Sequence, residues 1–205
     1  MTKNHHINPE YFDQKPFFRL LFNILFDLNR VEYGFKETLE SMLLTFVQTL
    51  HVLQPVKYPG FAFAWLQLVS SKFVIAPLLK NNNKELWVQY NTLIVDLMIF
   101  YKEVCTFGTL NNPEMKLFYK GTLRLLLVLL HDFPDFLCEF SFSLLEEIPE
   151  YFMQIRNIIL SAYPKETRMP DPFDPDNMGR NEISDEYNNM PNINQKIDER
   201  INSHN

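Results

Sequence analysis

The chain has 205 residues, of which 46% are hydrophobic and 15% aromatic, a composition typical of a folded domain with one core. The net charge of −6 is concentrated in residues 171–205, which carry −5, so residues 1–170 are close to neutral. This near-neutrality excludes a general polyanion-binding protein, because such proteins gain their affinity from counterion release by many cations.

Cysteine content and apolar runs indicate the compartment. The two cysteines, Cys105 and Cys138, provide no disulfide framework, which is typical of a reducing compartment. The N-terminus has no apolar signal core, and the longest apolar runs fall short of the roughly 20 residues that cross a bilayer. We therefore predict a soluble intracellular protein.

Apolar residues recur at helical spacing along most of the chain, and the five glycines with little β-branched alternation argue against a sheet. Pro77 is expected to break or kink the third of six helices. The predicted helices are, in chain order, Lys15–Asn29, Tyr33–Leu53, Phe61–Ala76, Lys84–Phe107, a fifth from about Pro113 to Phe133, and Pro149–Tyr163.

The spacing of these helices is typical of antiparallel helix pairs of the HEAT type, although no sequence repeat is visible. We predict an all-α, irregular HEAT-like helical repeat, with a compact orthogonal bundle as the alternative. Residues 1–14 are predicted to form a flexible arm and residues 15–175 the helical domain. Residues 176–205 contain eight asparagines and an excess of acids, so this tail is predicted to be disordered.

The fifth helix is expected at the centre of the fold. Residues Leu125 to Leu130 are all apolar, and a helix that is apolar on all sides has to be buried on all sides. We therefore expect it to be the central helix, with the other helices packed around it and one narrow polar stripe in solvent. Nearly all of its polarity comes from four residues within one sector of about 80°, at about 100° per residue. They are Lys116, Lys120, Arg124 and His131.

The cations of this sector have two interpretations. Lys116, Lys120 and Arg124 either contact an acidic partner segment or RNA phosphates, or they pair inside the protein with a carboxylate such as Asp96 or Glu103. Internal pairing is favoured, because a mostly buried helix tends to find its ion-pair partners within the fold.

The aromatic residues also have two interpretations. Phe63 and Trp65 are predicted to lie in the core. Phe140 and Phe142 follow the predicted helix break, where aromatic side chains are well placed to receive a partner peptide. Core packing of these two phenylalanines is the alternative.

No arrangement of residues predicts catalysis, a cofactor or a metal. His131 and Cys138 combine a base with a nucleophile, but a proline-broken segment separates them and catalysis requires hydrogen-bond contact and a thiolate. The histidines and cysteines lack the spacing of a zinc site. Lys120-Gly121-Thr122 lacks the upstream glycine of a phosphate loop. We predict a non-enzymatic interaction domain.

Four segments carry a family resemblance. In chain order they are YPGFAFAWLQL at Tyr58–Leu68, YKGTLRLLLVLLHDFPDFL at Tyr119–Leu137, IRNIILSAY at Ile155–Tyr163 and MPDPF at Met169–Phe173. Together they resemble the C-terminal homology domain of the large NOT scaffold subunit of the CCR-NOT mRNA deadenylase complex. The resemblance covers roughly residues 15 to 175.

The resemblance implies a scaffold module that docks a heterodimer of two smaller NOT subunits and joins the rest of the CCR-NOT complex. The resemblance also implies that this module supports mRNA deadenylation, decay and translational repression. These processes take place in the cytoplasm, including mRNA decay bodies, and also in the nucleus. In some lineages the domain also receives short linear motifs of mRNA-binding repressors. No sequence-specific nucleic acid and no membrane is implied.

The family domain continues with a second helical lobe, so this chain is expected to correspond to the first lobe. Its partner-binding residues are expected among the exposed cations and aromatic side chains, and a helical-repeat RNA-binding protein is the alternative function. The expected contact residues are Lys72, Lys80, Lys116, Lys120, Arg124, Phe140 and Phe142.

Overall fold

The computed structural model describes residues 12–30, 36–80, 83–104 and 112–163. Every element in these ranges is helical, which confirms the all-α prediction. A 3-10 turn spans Pro59–Phe61. The α-helices are α1 Lys15–Leu28, α2 Lys36–Val52, α3 Ala62–Val69, α4 Lys72–Leu79, α5 Lys84–Val104, α6 Pro113–Asp132, α7 Pro134–Glu147 and α8 Met153–Leu160.

Some predictions concern residues outside the described ranges and stay predictions. They include most of the arm 1–14, the end of the fourth predicted helix at residues 105–107, the segment 169–173 and the tail 176–205. The chain divides into a unit of residues 1–163 and a unit of residues 164–205, and all described residues lie in the first.

The third predicted helix is two helices, α3 and α4, which break at Ser70-Ser71 and not at Pro77. The Ser71 hydroxyl caps α4 by accepting a hydrogen bond from the Phe73 N–H at 3.3 Å. Pro77 lies inside α4 and has no N–H to donate to the Phe73 carbonyl. The Asn29 side chain donates to that carbonyl at 3.2 Å. The predicted break was wrong because a residue following α1 supplies the missing donor.

Pro134 ends α6 and also begins α7, a helix that the six-helix prediction lacks. Proline suits the first helical position, because an N–H there would have no partner within the helix. The last helix, α8, begins at Met153 and not at Pro149, since the connection from α7 turns to bury Ile148 and Phe152.

Of the two longest helices, α5 is the more enclosed, and it packs mainly against α2, α4 and α7. Its residues Tyr90, Leu93, Leu97 and Tyr101 are fully buried. By contrast, α6 packs against α3, α7 and α8, contacts α5 through aromatic side chains and keeps one face in solvent. The prediction that the other helices surround α6 was wrong. Six consecutive apolar residues indicate a wide apolar surface, but they do not determine which helix has neighbours on every side.

Polar atoms of large core side chains form hydrogen bonds between helices. The Trp65 indole N–H donates to the Leu50 carbonyl at 2.7 Å, and the Tyr101 and Thr122 hydroxyls lie 2.8 Å apart. Each bond satisfies buried polar atoms whose isolation would cost about 1–3 kcal/mol. These bonds join α2 to α3 and α5 to α6, and the fully buried Trp65 confirms its core prediction.

Candidate partner-binding surface

One face of α6 lies in solvent and combines cations with apolar side chains. The four residues of the predicted polar sector are all exposed. Three apolar residues on the same face are also exposed, by 62% at Leu117, 50% at Leu127 and 44% at Val128. The expected polar stripe is thus in solvent, but the exposed face is wider than expected, because it also includes these three apolar residues. The α6 face consists of Lys116, Leu117, Lys120, Arg124, Leu127, Val128 and His131.

The cations of the α6 face are not neutralised as expected. Asp96, one predicted partner, pairs with His51 of α2 at 2.7 Å. Within the described ranges, Lys116, Lys120 and Arg124 form no ion pair. Among the described residues, internal pairing with Asp96 or Glu103 is not found: Asp96 on α5 is paired with α2, and Glu103 forms no ion pair.

Burial and the His51 side chain act in opposite directions on the pKa of the Asp96 carboxyl. Asp96 is 3% exposed, and this burial raises the pKa of its carboxyl to about 6. The hydrogen bond and the charge of His51, together with the charge of Lys57, act in the opposite direction. The pair therefore joins α2 to α5 as an interaction within the fold.

A groove separates α6 from α3 and has a cavity volume of about 410 Å³. Phe63, Leu66, Gln67 and Ser70 form its α3 wall. Its other wall comes from α6 and includes both cations and apolar residues of the α6 face. These α6 residues are Leu117, Phe118, Lys120, Gly121, Arg124, Leu125 and Val128.

The floor of this groove is held by close packing between α3 and α6. A Cβ atom on Gly121 would lie 3.0 Å from the Leu66 side chain, so glycine lets the two helices approach. The half-buried Phe63 packs edge-on against Phe118, with 5.4 Å between ring centroids. Phe63 therefore belongs both to the core, as predicted, and to the groove.

Lys72 and Lys80 lie elsewhere. Lys72 is exposed, and its ammonium lies 5.2 Å from the centroid of the Phe73 ring. Lys80 lines a second cavity of about 510 Å³, together with Trp87, His131 and the connection from α6 to α7. The structure therefore places the predicted cations on separate surfaces, and it brings Lys120 and Arg124 together in the groove.

Phe140 and Phe142 both lie on α7 but differ in exposure. Phe140 is half-buried and packs on Phe136, with 5.2 Å between ring centroids. Phe142 is 44% exposed. Neither lines the groove between α3 and α6.

Sequence reasoning missed the apolar part of the α6 face, although a signal for it exists. At about 100° per residue, Leu117 and Val128 fall within about 40° of Arg124, so they share its exposed sector. Gln67 and Ser70 of the opposite wall carry no such signal, because their position in the groove depends on how α3 packs on α6.

The structure gives no support to catalysis by His131 and Cys138, the base and the nucleophile considered in the sequence. His131 and Asp132 form an exposed pair at 2.6 Å. Burial, together with the charges of Asp135 and Glu139, raises the pKa of the Cys138 thiol, which works against a reactive thiolate. The described residues contain no group of three or more potential metal ligands.

No single helix in the described ranges is long and apolar enough to cross a membrane. The pair Pro59–Val69 and Lys72–Leu79 passes on length and composition when taken together, but it is bent by 55° at its break.

Two curated proteins are similar to this chain in sequence. It is 38% identical over 180 residues to the CCR4-NOT transcription complex subunit let-711 of Caenorhabditis elegans, which covers 83% of this chain and 7% of the relative. It is 34% identical over 188 residues to general negative regulator of transcription subunit 1 of Saccharomyces cerevisiae, covering 85% of this chain and 9% of the relative. The chain thus spans less than a tenth of the length of these relatives.

Two solved structures share the fold. The NOT1 superfamily homology domain from Chaetomium thermophilum matches with a TM-score of 0.73 and 29% identity, over 84% of this chain and 34% of that one. A structure of the Not1 C-terminal domain in complex with Not4 matches with a TM-score of 0.65 and 34% identity, over 84% of this chain and 36% of that one. These likenesses confirm the fold predicted from the sequence.

The family model described as CCR4-Not complex component, Not1, matches residues 25–205. The match runs past residue 175, where the resemblance read from the sequence ended. It agrees with the curated relatives and the solved structures, and it confirms the family expected from the four segments. The chain belongs to the Not1 family of CCR4-NOT complex components.

Proposed function

We propose that this chain is a non-enzymatic docking module of the CCR4-NOT complex that binds the smaller NOT-family subunits. The observation that carries the proposal is the likeness to the Not1 C-terminal domain solved in complex with Not4. The partner in that structure is itself a NOT protein, and the likeness covers 84% of this chain. The matched part amounts to 36% of that chain, and it has counterparts here.

The α6 face supports the same conclusion. Leu117, Leu127 and Val128 are each more than 40% exposed, and Lys120 and Arg124 have no ion-pair partner among the described residues. Exposed apolar side chains beside cations are typical of a surface that another protein covers. By docking its partners, the module supports deadenylation, decay and translational repression of mRNA, and it acts in the cytoplasm and the nucleus.

Size-exclusion chromatography with light scattering tests the proposal. The 205-residue chain is mixed with the two smaller NOT subunits, singly and together. We expect a complex with the mass of all three chains when both subunits are present. Elution of the chain at its monomer mass in every mixture would contradict docking.

RNA binding is a second candidate, because the cations of the α6 face form no ion pair with a described residue. It predicts binding to single-stranded RNA that weakens steeply with salt and disappears when Lys116, Lys120 and Arg124 are reversed in charge. The near-neutral charge of residues 1–170 makes it the weaker candidate.

A further inference from the structure

We propose that the groove between α3 and α6 binds an acidic amphipathic helix of a smaller NOT-family subunit. The proposal deepens the docking function above and rests on it for the source of that helix. It assigns the groove as the binding site and states the chemistry of the segment that occupies it.

The cations of the groove have no ion-pair partner among the described residues, so they are available to a partner. Lys120 and Arg124 line the groove and lie four residues apart, which is about 6 Å along the helix axis. Neither forms an ion pair with a described residue. Together with Lys116 they form a row of like charges at i, i+4 spacing, an arrangement that destabilises an isolated helix. Carboxylates supplied by a partner would neutralise this row.

Apolar side chains mark both ends of the same groove. Leu117 and Val128 lie eleven residues apart on α6, or about 16 Å along its axis. They are 62% and 44% exposed. Phe63 and Leu66 of α3 continue the apolar surface across the groove. The site is therefore about three helical turns long, with cations in the middle and apolar side chains at its ends and opposite wall.

An amphipathic helix matches this arrangement. When it lies along α6, carboxylates four residues apart on the partner are spaced like Lys120 and Arg124, and its adjacent apolar face covers Leu117 and Val128. Helix-in-groove binding of this kind uses apolar anchors one or two turns apart. RNA phosphates would satisfy the cations but would leave the two apolar ends of the groove exposed.

Two variants and two matched controls test the site. Lys120→Glu reverses a cation inside the groove, and its control, Arg19→Glu, reverses an exposed cation of α1 that lies outside the groove and the α6 face. Val128→Asp places a charge at one end of the groove. Its control, Val88→Asp, changes an apolar residue of α5 that is 50% exposed and also lies outside the groove and the α6 face.

The purified heterodimer of the two smaller NOT subunits is the probe, and calorimetric titration gives the Kd for each variant. Thermal unfolding of each variant establishes that it is folded. We expect Lys120→Glu and Val128→Asp each to weaken binding about tenfold or more, the scale of one important interface contact. Arg19→Glu and Val88→Asp should stay within about twofold of the wild type, since surface changes outside the contact are nearly neutral.

The other outcomes overturn the proposal in distinguishable ways. If the wild type binds the heterodimer and both groove variants bind equally well, the groove is not the site, but the docking function stands. If the wild type does not bind, the docking function and the groove proposal both fail. If a single-stranded RNA of 20 nucleotides displaces the heterodimer, and Lys116→Glu and Lys120→Glu weaken RNA binding equally, the occupant is nucleic acid.

Discussion

The helices α5 and α6 are almost equal in length, at 21 and 20 residues, but they have opposite electrostatic environments. On α5, three of the five charged residues pair with neighbouring helices, whereas Lys116, Lys120 and Arg124 of α6 form no ion pair within the described ranges. The pairs of α5 are Asp96 with His51 at 2.7 Å, Lys84 with Glu139 at 3.2 Å and Lys102 with Glu147 at 2.9 Å.

This difference shows which helix supports the fold and which one presents a surface. The longest apolar run of the two belongs to α6, yet α5 is the enclosed helix. Hydrophobic content alone therefore does not separate an enclosed helix from a helix with one exposed face. The pairing of charges does, because a charge held by an internal partner is not available to another protein.

The largest expected change in the free energy of unfolding comes from removing a core side chain of α5. Tyr101 is fully buried and packs on Phe118, Tyr119 and Phe152, with ring centroids 5.0 to 6.0 Å away. Tyr101→Ala should lower the free energy of unfolding by about 3–5 kcal/mol, measured by urea unfolding. Leu117→Ala on the α6 face should change it by less than about 0.5 kcal/mol. Similar losses at the two sites would remove the contrast between the helices.

The second effect concerns how the contribution of Asp96 to the free energy of unfolding depends on pH. Its pKa is raised by burial from 3.8 to about 6, so the folded state holds this proton more tightly than the unfolded chain. The contribution of Asp96 to stability is therefore fully present below about pH 4 and is lost as the pH rises through about 6. The loss should be on the order of 2–3 kcal/mol.

A pH series of urea unfolding for the wild type and Asp96→Asn measures this loss, because the variant has no carboxyl to titrate. The difference in free energy of unfolding between the wild type and Asp96→Asn should change between pH 4 and pH 6.5. His51→Ala removes the hydrogen bond and the charge that lower the Asp96 pKa, so the loss should extend to higher pH. A pH-independent difference between wild type and Asp96→Asn would contradict the burial of a titrating carboxyl.

A smaller effect is expected for the exposed pair between Lys102 and Glu147. The Lys102 side chain is 54% exposed, so solvent screens the pair and its contribution is about 0–1 kcal/mol. Lys102→Ala should lower the free energy of unfolding within this range, and added salt should shrink the difference further. A loss well above 1 kcal/mol would mean that ion pairs, and not apolar packing, hold α5 against α7.

The smallest expected effect has the opposite sign. Lys120 is flanked by Lys116 and Arg124 at i, i+4 spacing, and each like-charge pair destabilises a helix by about 0.2–0.5 kcal/mol. Lys120→Glu should therefore stabilise the isolated chain slightly, which thermal unfolding at low salt measures, while it weakens partner binding. Lower stability of this variant would indicate that Lys120 has a structural partner.

Local signals predicted helix starts well where the determinants are close in sequence. Asn112 caps α6 by accepting a hydrogen bond from the Glu114 N–H at 2.9 Å, and Pro113 occupies the first turn. The two prolines that misled the prediction depend on other information. Pro77 remains inside α4 because Asn29, 44 residues away from Phe73, supplies the missing donor. Pro134 begins a helix as well as ending one.

Some features of the candidate site could likewise be predicted from local sequence, and others could not. Periodicity alone placed Lys116, Lys120, Arg124 and His131 on one face of a helix, and all four are exposed. Periodicity did not reveal that Asp96 faces His51, nor that Phe63 and Gln67 of α3 complete a groove with α6. Those facts depend on which helices become neighbours.

By itself, then, the sequence determined the all-helical class, the apolar and polar faces of each helix and the Not1 family, because helical period and family segments are properties of the order of residues. Tertiary structure alone decided that α5 is the enclosed helix, that the Asp96 carboxyl pairs with His51 and that Gly121 lets α3 approach α6. These outcomes depend on contacts between residues far apart in the chain, and the burial and pairing of a side chain are set by its neighbours in space.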